Sequence, residues 1–163
     1  RRRRGGVVSQ APPVPIIRRA VAADLPGIIA LLADDDLGRG REDVSADAFP
    51  HYATAFAAIE HDANQVPVVL LLGGAVAGYL QITFIPGLSR QGQWRGLIES
   101  VRIEKSLRGQ GLGGQLMRFA IHQCRARGCG LVQLTTDKRR LDARRFYERL
   151  GFVASHEGMK LEV

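Results

Sequence analysis

A glycine-rich segment between a predicted strand and a predicted helix constrains this chain more than any other feature. Residues 108–114 read Arg-Gly-Gln-Gly-Leu-Gly-Gly, and an amphipathic run suited to a helix continues to Arg127. Glycine lets a backbone turn tightly and pass close to a ligand, and the first N–H groups of a helix have no partners within it. The segment therefore predicts a turn whose N–H groups bind an anion such as two linked phosphates.

Three interpretations of the glycine-rich segment other than this one bear comparison with the sequence. A nucleotide P-loop is excluded because no Gly-Lys-Ser/Thr follows. A Rossmann-like oxidoreductase is an alternative, since Gly109, Gly111 and Gly114 match G-x-G-x-x-G and Asp137 stands where a ribose-binding acid is expected. Against it, five residues (104–108) separate the strand from the first glycine, and only about fifty residues remain after the turn. A glycine turn without any ligand is the third interpretation.

The pattern of apolar residues around this turn predicts an α/β domain. Strands are expected over residues 15–19, 66–72, 75–85, 93–103 and 131–135, with one or two more in 152–163, and Gly73-Gly74 predicts a hairpin. Helices are expected over 25–32, where Asp24 is the predicted N-cap, and over 46–60, 111–127 and 141–150. This order predicts a mixed sheet of six or seven strands with helices on both faces.

Length and charge favour one domain that binds neither nucleic acid nor membrane. The 163 residues suit a single domain over 15–163, preceded by an expected disordered extension over 1–14 that begins with Arg1 to Arg4. Without these four arginines the net charge of +7 falls to +3, and no apolar stretch reaches the roughly 20 residues of a membrane span. Neither Cys124 and Cys129 nor the four histidines show metal-ligand spacing, so no metal is expected, and free thiols favour the cytoplasm.

Two motifs identify a family resemblance. Arg108, Gly111 and Gly113 form Arg-x-x-Gly-x-Gly ahead of the long helix, and residues 143–152 read Ala-Arg-Arg-Phe-Tyr-Glu-Arg-Leu-Gly-Phe. Together, at this spacing, they resemble the GNAT superfamily of N-acetyltransferases. The resemblance runs from about Ile16 to the C-terminus and is specific from Trp94 to Phe152. It implies direct transfer of an acetyl group from acetyl-CoA to a primary amine within a ternary complex.

The resemblance also implies roles for individual residues. Backbone groups of Val101, Arg102 and Ile103 would pair with the pantetheine arm of CoA, and Tyr147 would protonate the departing thiolate. The pyrophosphate would lie on the turn formed by Arg108, Gly109, Gln110, Gly111, Leu112, Gly113 and Gly114. Arg140 stands where many members carry an asparagine, so the usual pantetheine contact at this position is not expected. Lys138, Arg139 and Arg140 either meet a CoA phosphate or form a solvated basic face.

Glu99 is the candidate general base. An amine with a pKa of about 10.4 must lose a proton before it attacks a thioester, and Glu99 interrupts an apolar strand two residues before Val101. Burial there would raise the pKa of its carboxyl group toward neutrality. The alternatives are a glutamate at a sheet edge or one paired with an arginine.

The acceptor is left open by the sequence, as is the length of the acyl group. Nine of the sixteen acidic residues lie between Asp24 and Asp62; they either solvate the loops there or attract a cationic amine, which would be a small molecule or a protein. A CoA-binding sensor without turnover is a further alternative. The resemblance allows a homodimer.

Overall fold

The computed structural model describes residues 12–36 and 40–163 as a five-stranded sheet with four helices of nine or more residues. The strands are β1 (Ile16–Arg19), β2 (Gln65–Leu72), β3 (Ala75–Ile85), β4 (Arg95–Ile103) and β5 (Leu131–Leu134). The helices are α1 (Leu25–Ala33), α2 (Phe49–His61), α3 (Leu112–Ala126) and α4 (Leu141–Arg149). Nearly all of the expected N-terminal extension lies outside the described residues, and the domain boundary stays a prediction.

The sheet is mixed and its strands follow chain order. β1 to β4 are antiparallel neighbours, whereas β5 pairs with β4 in parallel. The hairpin between β2 and β3 turns at Gly73 and Gly74, whose φ angles of 58° and 84° are those that a tight primed turn requires. The order of strands and helices predicted from the sequence is thus confirmed as far as α4.

Helices cover both faces of the sheet, as predicted. α1 and α2 pack on one face against Val69 and Tyr79, and we call this the α1/α2 face. α3 packs on the other face against Leu80 and Ile98, which we call the α3 face. Residues 68–70 are fully buried because helices cover β2 on both faces of the sheet. Two apolar cores therefore hold β2 and β3 in place from both sides.

The expectation of six or seven strands is wrong. Residues 152–163 form no strand; the backbone hydrogen bonds described there are local, from Phe152 N to Tyr147 O at 3.1 Å and from Ser155 N to Val153 O at 3.0 Å. The segment does pass beside β5, since Gly158 lies close to the Thr135 side chain, but Met159 and Leu161 are exposed. Alternating residues such as Met-Lys-Leu-Glu-Val have the period of a strand, but among the described residues no backbone hydrogen bond joins this segment to the outer edge of β5.

Asp24 does not cap α1 through its side chain. Its carboxylate accepts hydrogen bonds from Arg18 at 2.6 and 2.9 Å and from Val21 N at 2.8 Å, and the Arg18 guanidinium holds the pKa of this carboxyl group below its usual range. Asp24 thereby ties the end of β1 to the start of α1.

Within the described ranges, no helix is long and apolar enough to cross a bilayer.

Candidate functional site

The glycine turn is open at the N-terminus of α3. Gly109 and Gly111 have φ angles of 78° and 80°, and no atom lies within 4 Å of where a Cβ would stand on either residue. The first helical hydrogen bond runs from Gln115 N to Gly111 O at 3.1 Å. The N–H groups of residues 112–114 therefore lack partners within the helix. The turn combines free N–H groups, the positive end of the helix dipole and open space, and so fits the pyrophosphate of a CoA ester.

Arg108 folds back toward the sheet beside this turn. Its Nε donates to Ile103 O at 3.1 Å, and the side chain remains exposed. This contact fixes the guanidinium between the end of β4 and the start of the glycine turn. A permanent positive charge thus stands at the place where the sequence predicts phosphates.

β4 and β5 separate next to the turn. Their pairing ends at Ile98 and Leu134, whereas β4 continues to Ile103. The carbonyl of Val101 accepts a hydrogen bond from Arg102 Nη1 at 2.9 Å instead of from a strand. The second half of β4 consequently presents an edge that is not paired with β5. An extended ligand could pair with this edge as an added strand would.

A bulge marks the point of separation. Ser100 has a φ of 56°, a left-handed conformation that is uncommon outside glycine, and the register between β3 and β4 shifts between Tyr79 and Gln81. Bulges redirect side chains and end regular pairing, and they are frequent beside functional sites. No residue type in this part of β4 predicted the bulge.

Glu99 is exposed, so the burial expected from its apolar neighbours in sequence is wrong. Glu99 pairs with Gln81 of the neighbouring strand β3, and Gln81 lines a cavity of about 140 Å³ between the sheet, α1 and α2. Residues that pair directly across two strands share a face, so Glu99 lies on the α1/α2 face. No ion pair to Glu99 occurs among the residues that the structure describes. Burial, aided by the Glu99 charge, raises the pKa of Tyr79 to about 12.

Tyr147 packs edge-to-face against Phe146 and Phe152, with ring centroids 5.2 and 6.1 Å away. Burial raises the pKa of its phenol, and the charges of Arg102 and Arg140 oppose this shift. The hydroxyl therefore keeps its proton at neutral pH and lies close enough to both guanidinium groups to respond to them. A protonated phenol can act as a general acid.

Three arginines converge on the buried carboxylate of Asp35, whose side chain is 6% exposed. Arg102 donates to its Oδ2 at 3.0 Å, Arg140 donates to the same oxygen, and the Arg41 guanidinium lies 3.9 Å from it. We call these four residues the arginine cluster. No local pattern predicted this cluster, because Asp35 is 67 residues from Arg102 and 105 from Arg140.

The remaining charged residues are mostly paired locally. Arg139 binds Asp137 at 2.7 Å and Lys138 binds Glu157 at 3.5 Å, so neither forms part of the arginine cluster. Lys105, which follows β4, lies 3.4 Å from Asp34 and 2.9 Å from Asp36. Four of the nine acidic residues between Asp24 and Asp62 therefore bind cations of this chain, which leaves fewer of them to attract a cationic amine. Among the described residues, no group of three His, Cys, Asp or Glu is placed to hold a metal ion.

Comparison with known proteins agrees with this geometry. The model of the acetyltransferase (GNAT) family matches residues 30–152. The aminoalkylphosphonate N-acetyltransferase of Salmonella typhimurium is 32% identical over 144 residues, which is 88% of this chain and 88% of that protein. The glucosamine 6-phosphate N-acetyltransferase of Trypanosoma brucei brucei is 34% identical over 90 residues, which is 55% of this chain and 59% of that protein.

A solved structure shares the fold over nearly the whole chain. A protein described as a transcriptional regulator from Bacillus halodurans C-125 is 48% identical, with a TM-score of 0.89 over 92% of this chain and all of that one. The Rossmann-like alternative is thereby overturned, because the matched family has a different fold and the glycine turn belongs to its pattern.

Proposed function

The chain belongs to the acetyltransferase (GNAT) family, and on that premise we propose that Tyr147 and Glu99 carry out a direct transfer within a ternary complex. The protein transfers an acetyl group from acetyl-CoA to an amine. The observation that supports the proposed site best is the second half of β4, which β5 leaves unpaired and which leads toward the open glycine turn. A pantetheine arm would follow this edge, at Val101, Arg102 and Ile103, from the turn toward the bulge at Ser100.

Acetyl-CoA, when bound, supplies a thioester that an uncharged amine attacks. Glu99 takes the proton of the ammonium group, directly or through water, from the α1/α2 face. Tyr147 donates its proton to the thiolate that leaves, and the raised pKa of the phenol keeps that proton available.

The acceptor is proposed to be a small-molecule amine. Both curated relatives carry the names of small amines, an aminoalkylphosphonate and glucosamine 6-phosphate. The cavity between the sheet and helices α1 and α2 is about 140 Å³ and is open to a ligand of limited size. Whether two copies of the chain associate is a separate proposal, which sedimentation would test.

Release of CoA thiol in the presence of a panel of primary amines tests this function. We expect turnover by the wild type and a fall of about 100-fold in kcat for Tyr147→Phe, the usual size of a general-acid contribution. Glu99→Gln should slow the reaction most at neutral pH and least at high pH, where more of the amine is uncharged. Wild-type turnover that neither substitution slows would refute the two roles, and acetyl-CoA that fails to raise the melting temperature would refute the binding site.

A further inference from the structure

The arginine cluster has more positive charge than its own carboxylate can balance. Arg41, Arg102 and Arg140 carry three positive charges, and Asp35 supplies one negative charge. The charged groups that act on Arg102 are Asp35, Arg140, Arg41 and the Tyr147 phenol. Together with Arg102 itself, the first three leave an excess of two positive charges. Holding Arg102 and Arg140 together, with side chains only 16% and 29% exposed, is costly unless an anion compensates them.

One donor in the cluster lacks a partner. Arg102 Nε is buried and forms no hydrogen bond with the described residues, although both Nη atoms of the same guanidinium do. A buried donor without a partner is destabilising. Asp35 therefore organises these arginines without satisfying them fully.

The cluster is placed at the reacting end of the site and not at the glycine turn. Arg102 lies on β4 opposite Tyr79 of the α1/α2 face, and Arg140 immediately precedes α4, which carries Tyr147. Both guanidinium groups act on the Tyr147 phenol. Arg41 is 65% exposed and gives the cluster an open side. A ligand held there would lie beside the proposed acid, on the face where Glu99 also lies.

We propose that the acceptor amine carries a phosphonate or phosphate group, and that Arg41 and Arg140 bind this group while Asp35 and Arg102 position them. An excess of two positive charges matches the charge of about −1.5 to −2 on such a group at neutral pH. The guanidinium fork suits its oxygens, since arginine binds phosphate in a bidentate manner. The inference rests on the proposed function for its reaction, but the anion site itself can be tested without turnover.

Binding of methylphosphonate, which has the anion but no amine, tests the site directly. Methylphosphonate is titrated into the protein, and the melting temperature is measured at each concentration. It should raise the melting temperature of the wild type. The Kd for methylphosphonate should rise at least about tenfold in Arg41→Gln and Arg140→Gln. Arg139→Gln is the matched control, because this exposed neighbour binds Asp137. Arg41 is exposed, so its variant should fold even if Arg140→Gln does not. Absence of binding by the wild type, or loss of binding in Arg108→Gln with retention in both cluster variants, would overturn the proposal.

Kinetics with matched two-carbon amines then test the acceptor class. We expect kcat/KM for 2-aminoethylphosphonate to exceed that for ethanolamine by about 100-fold, the effect of one or two charge-assisted hydrogen bonds. In Arg41→Gln this ratio should fall toward one, chiefly through KM. Equal kcat/KM for the two amines in the wild type, or for β-alanine and the phosphonate, would contradict the inference. Methylphosphonate binding without turnover of any amine would instead refute the proposed function and support the anion site.

Discussion

The Arg140 guanidinium donates a hydrogen bond to the Asp35 carboxylate, so that the residue before helix α4 is joined to the residue two positions beyond helix α1. The same carboxylate also binds Arg102 of β4 at 3.0 Å. Asp35 thereby connects three elements around the place where β4 and β5 separate. Asp35 therefore helps to hold helix α4, which carries Tyr147, in a fixed position relative to β4 and helix α1.

Asp35→Asn should destabilise the protein by about 3 kcal/mol, the low end of what breaking a buried ion pair costs. The reason is that Arg102 and Arg140, whose side chains are 16% and 29% exposed, would lose their shared counter-charge. Urea unfolding measures the effect. Asp34→Asn is the control, since its pair with Lys105 is half exposed and should contribute under about 1 kcal/mol. Equal effects of the two substitutions would contradict the importance of the arginine cluster.

Gly111→Ala and Gly128→Ala separate backbone strain from binding. The two glycines flank α3 with φ angles of 80° and 81°, and each has open space where a Cβ would stand. Each substitution should cost about 1 kcal/mol of stability, because a left-handed conformation is unfavourable for alanine. Only Gly111→Ala should also raise the KM for acetyl-CoA, by about tenfold or more. A similar change of KM in both variants would mean that the turn acts on binding through stability alone.

The Tyr147 phenol should report on its guanidinium neighbours. Its pKa is raised by burial, and the positive charges of Arg102 and Arg140 lower it. Removing one of these charges in Arg140→Gln disfavours the phenolate, so the pKa should rise further. Ultraviolet titration, with Tyr147→Phe subtracted to isolate this tyrosine, measures the change. A pKa that falls, or that moves equally in Arg139→Gln, would place Arg140 away from the hydroxyl.

Gly96 in β4 is required for its packing against α3. A Cβ there would collide with the Sγ of Cys124, which is fully buried. Gly96→Ala should therefore destabilise the protein by about 2 kcal/mol through overpacking. Adding Cys124→Ala should relieve the clash, so the double variant should be more stable than the sum of the single effects by about 1 kcal/mol. Strict additivity in denaturant unfolding would show that the two residues do not compete for space.

Local patterns in the sequence were sufficient for most of the fold. The glycines at 73–74 and 109–114 and the apolar periods between them predicted the hairpin, the helix after β4 and the mixed sheet. Features that depend on distant partners were beyond such patterns. The strand predicted beyond residue 152 needed backbone hydrogen bonds to a neighbouring strand, and the burial predicted for Glu99 depended on what α1 and α2 cover.

The candidate site divides in the same way. Tyr147 and the glycine turn lie within short motifs, so the sequence sufficed to predict both as parts of the site. Ser100 has no feature that distinguishes it from an ordinary strand residue, although its left-handed φ of 56° marks the bulge. Asp35 stood among eight other acids, and the three-dimensional fold alone brings it to Arg102 and Arg140. Chemistry carried by contacts over 67 and 105 residues of separation has no local signature.

The most direct test of this account is the response of the backbone amides of residues 110–114 to ligand, measured by ¹⁵N NMR. Acetyl-CoA should shift these amide resonances, whereas S-acetylpantetheine, which lacks the pyrophosphate, should bind more weakly and leave them in place. If acetyl-CoA binds without moving these amides, or if S-acetylpantetheine moves them equally, the pyrophosphate does not lie on the glycine turn.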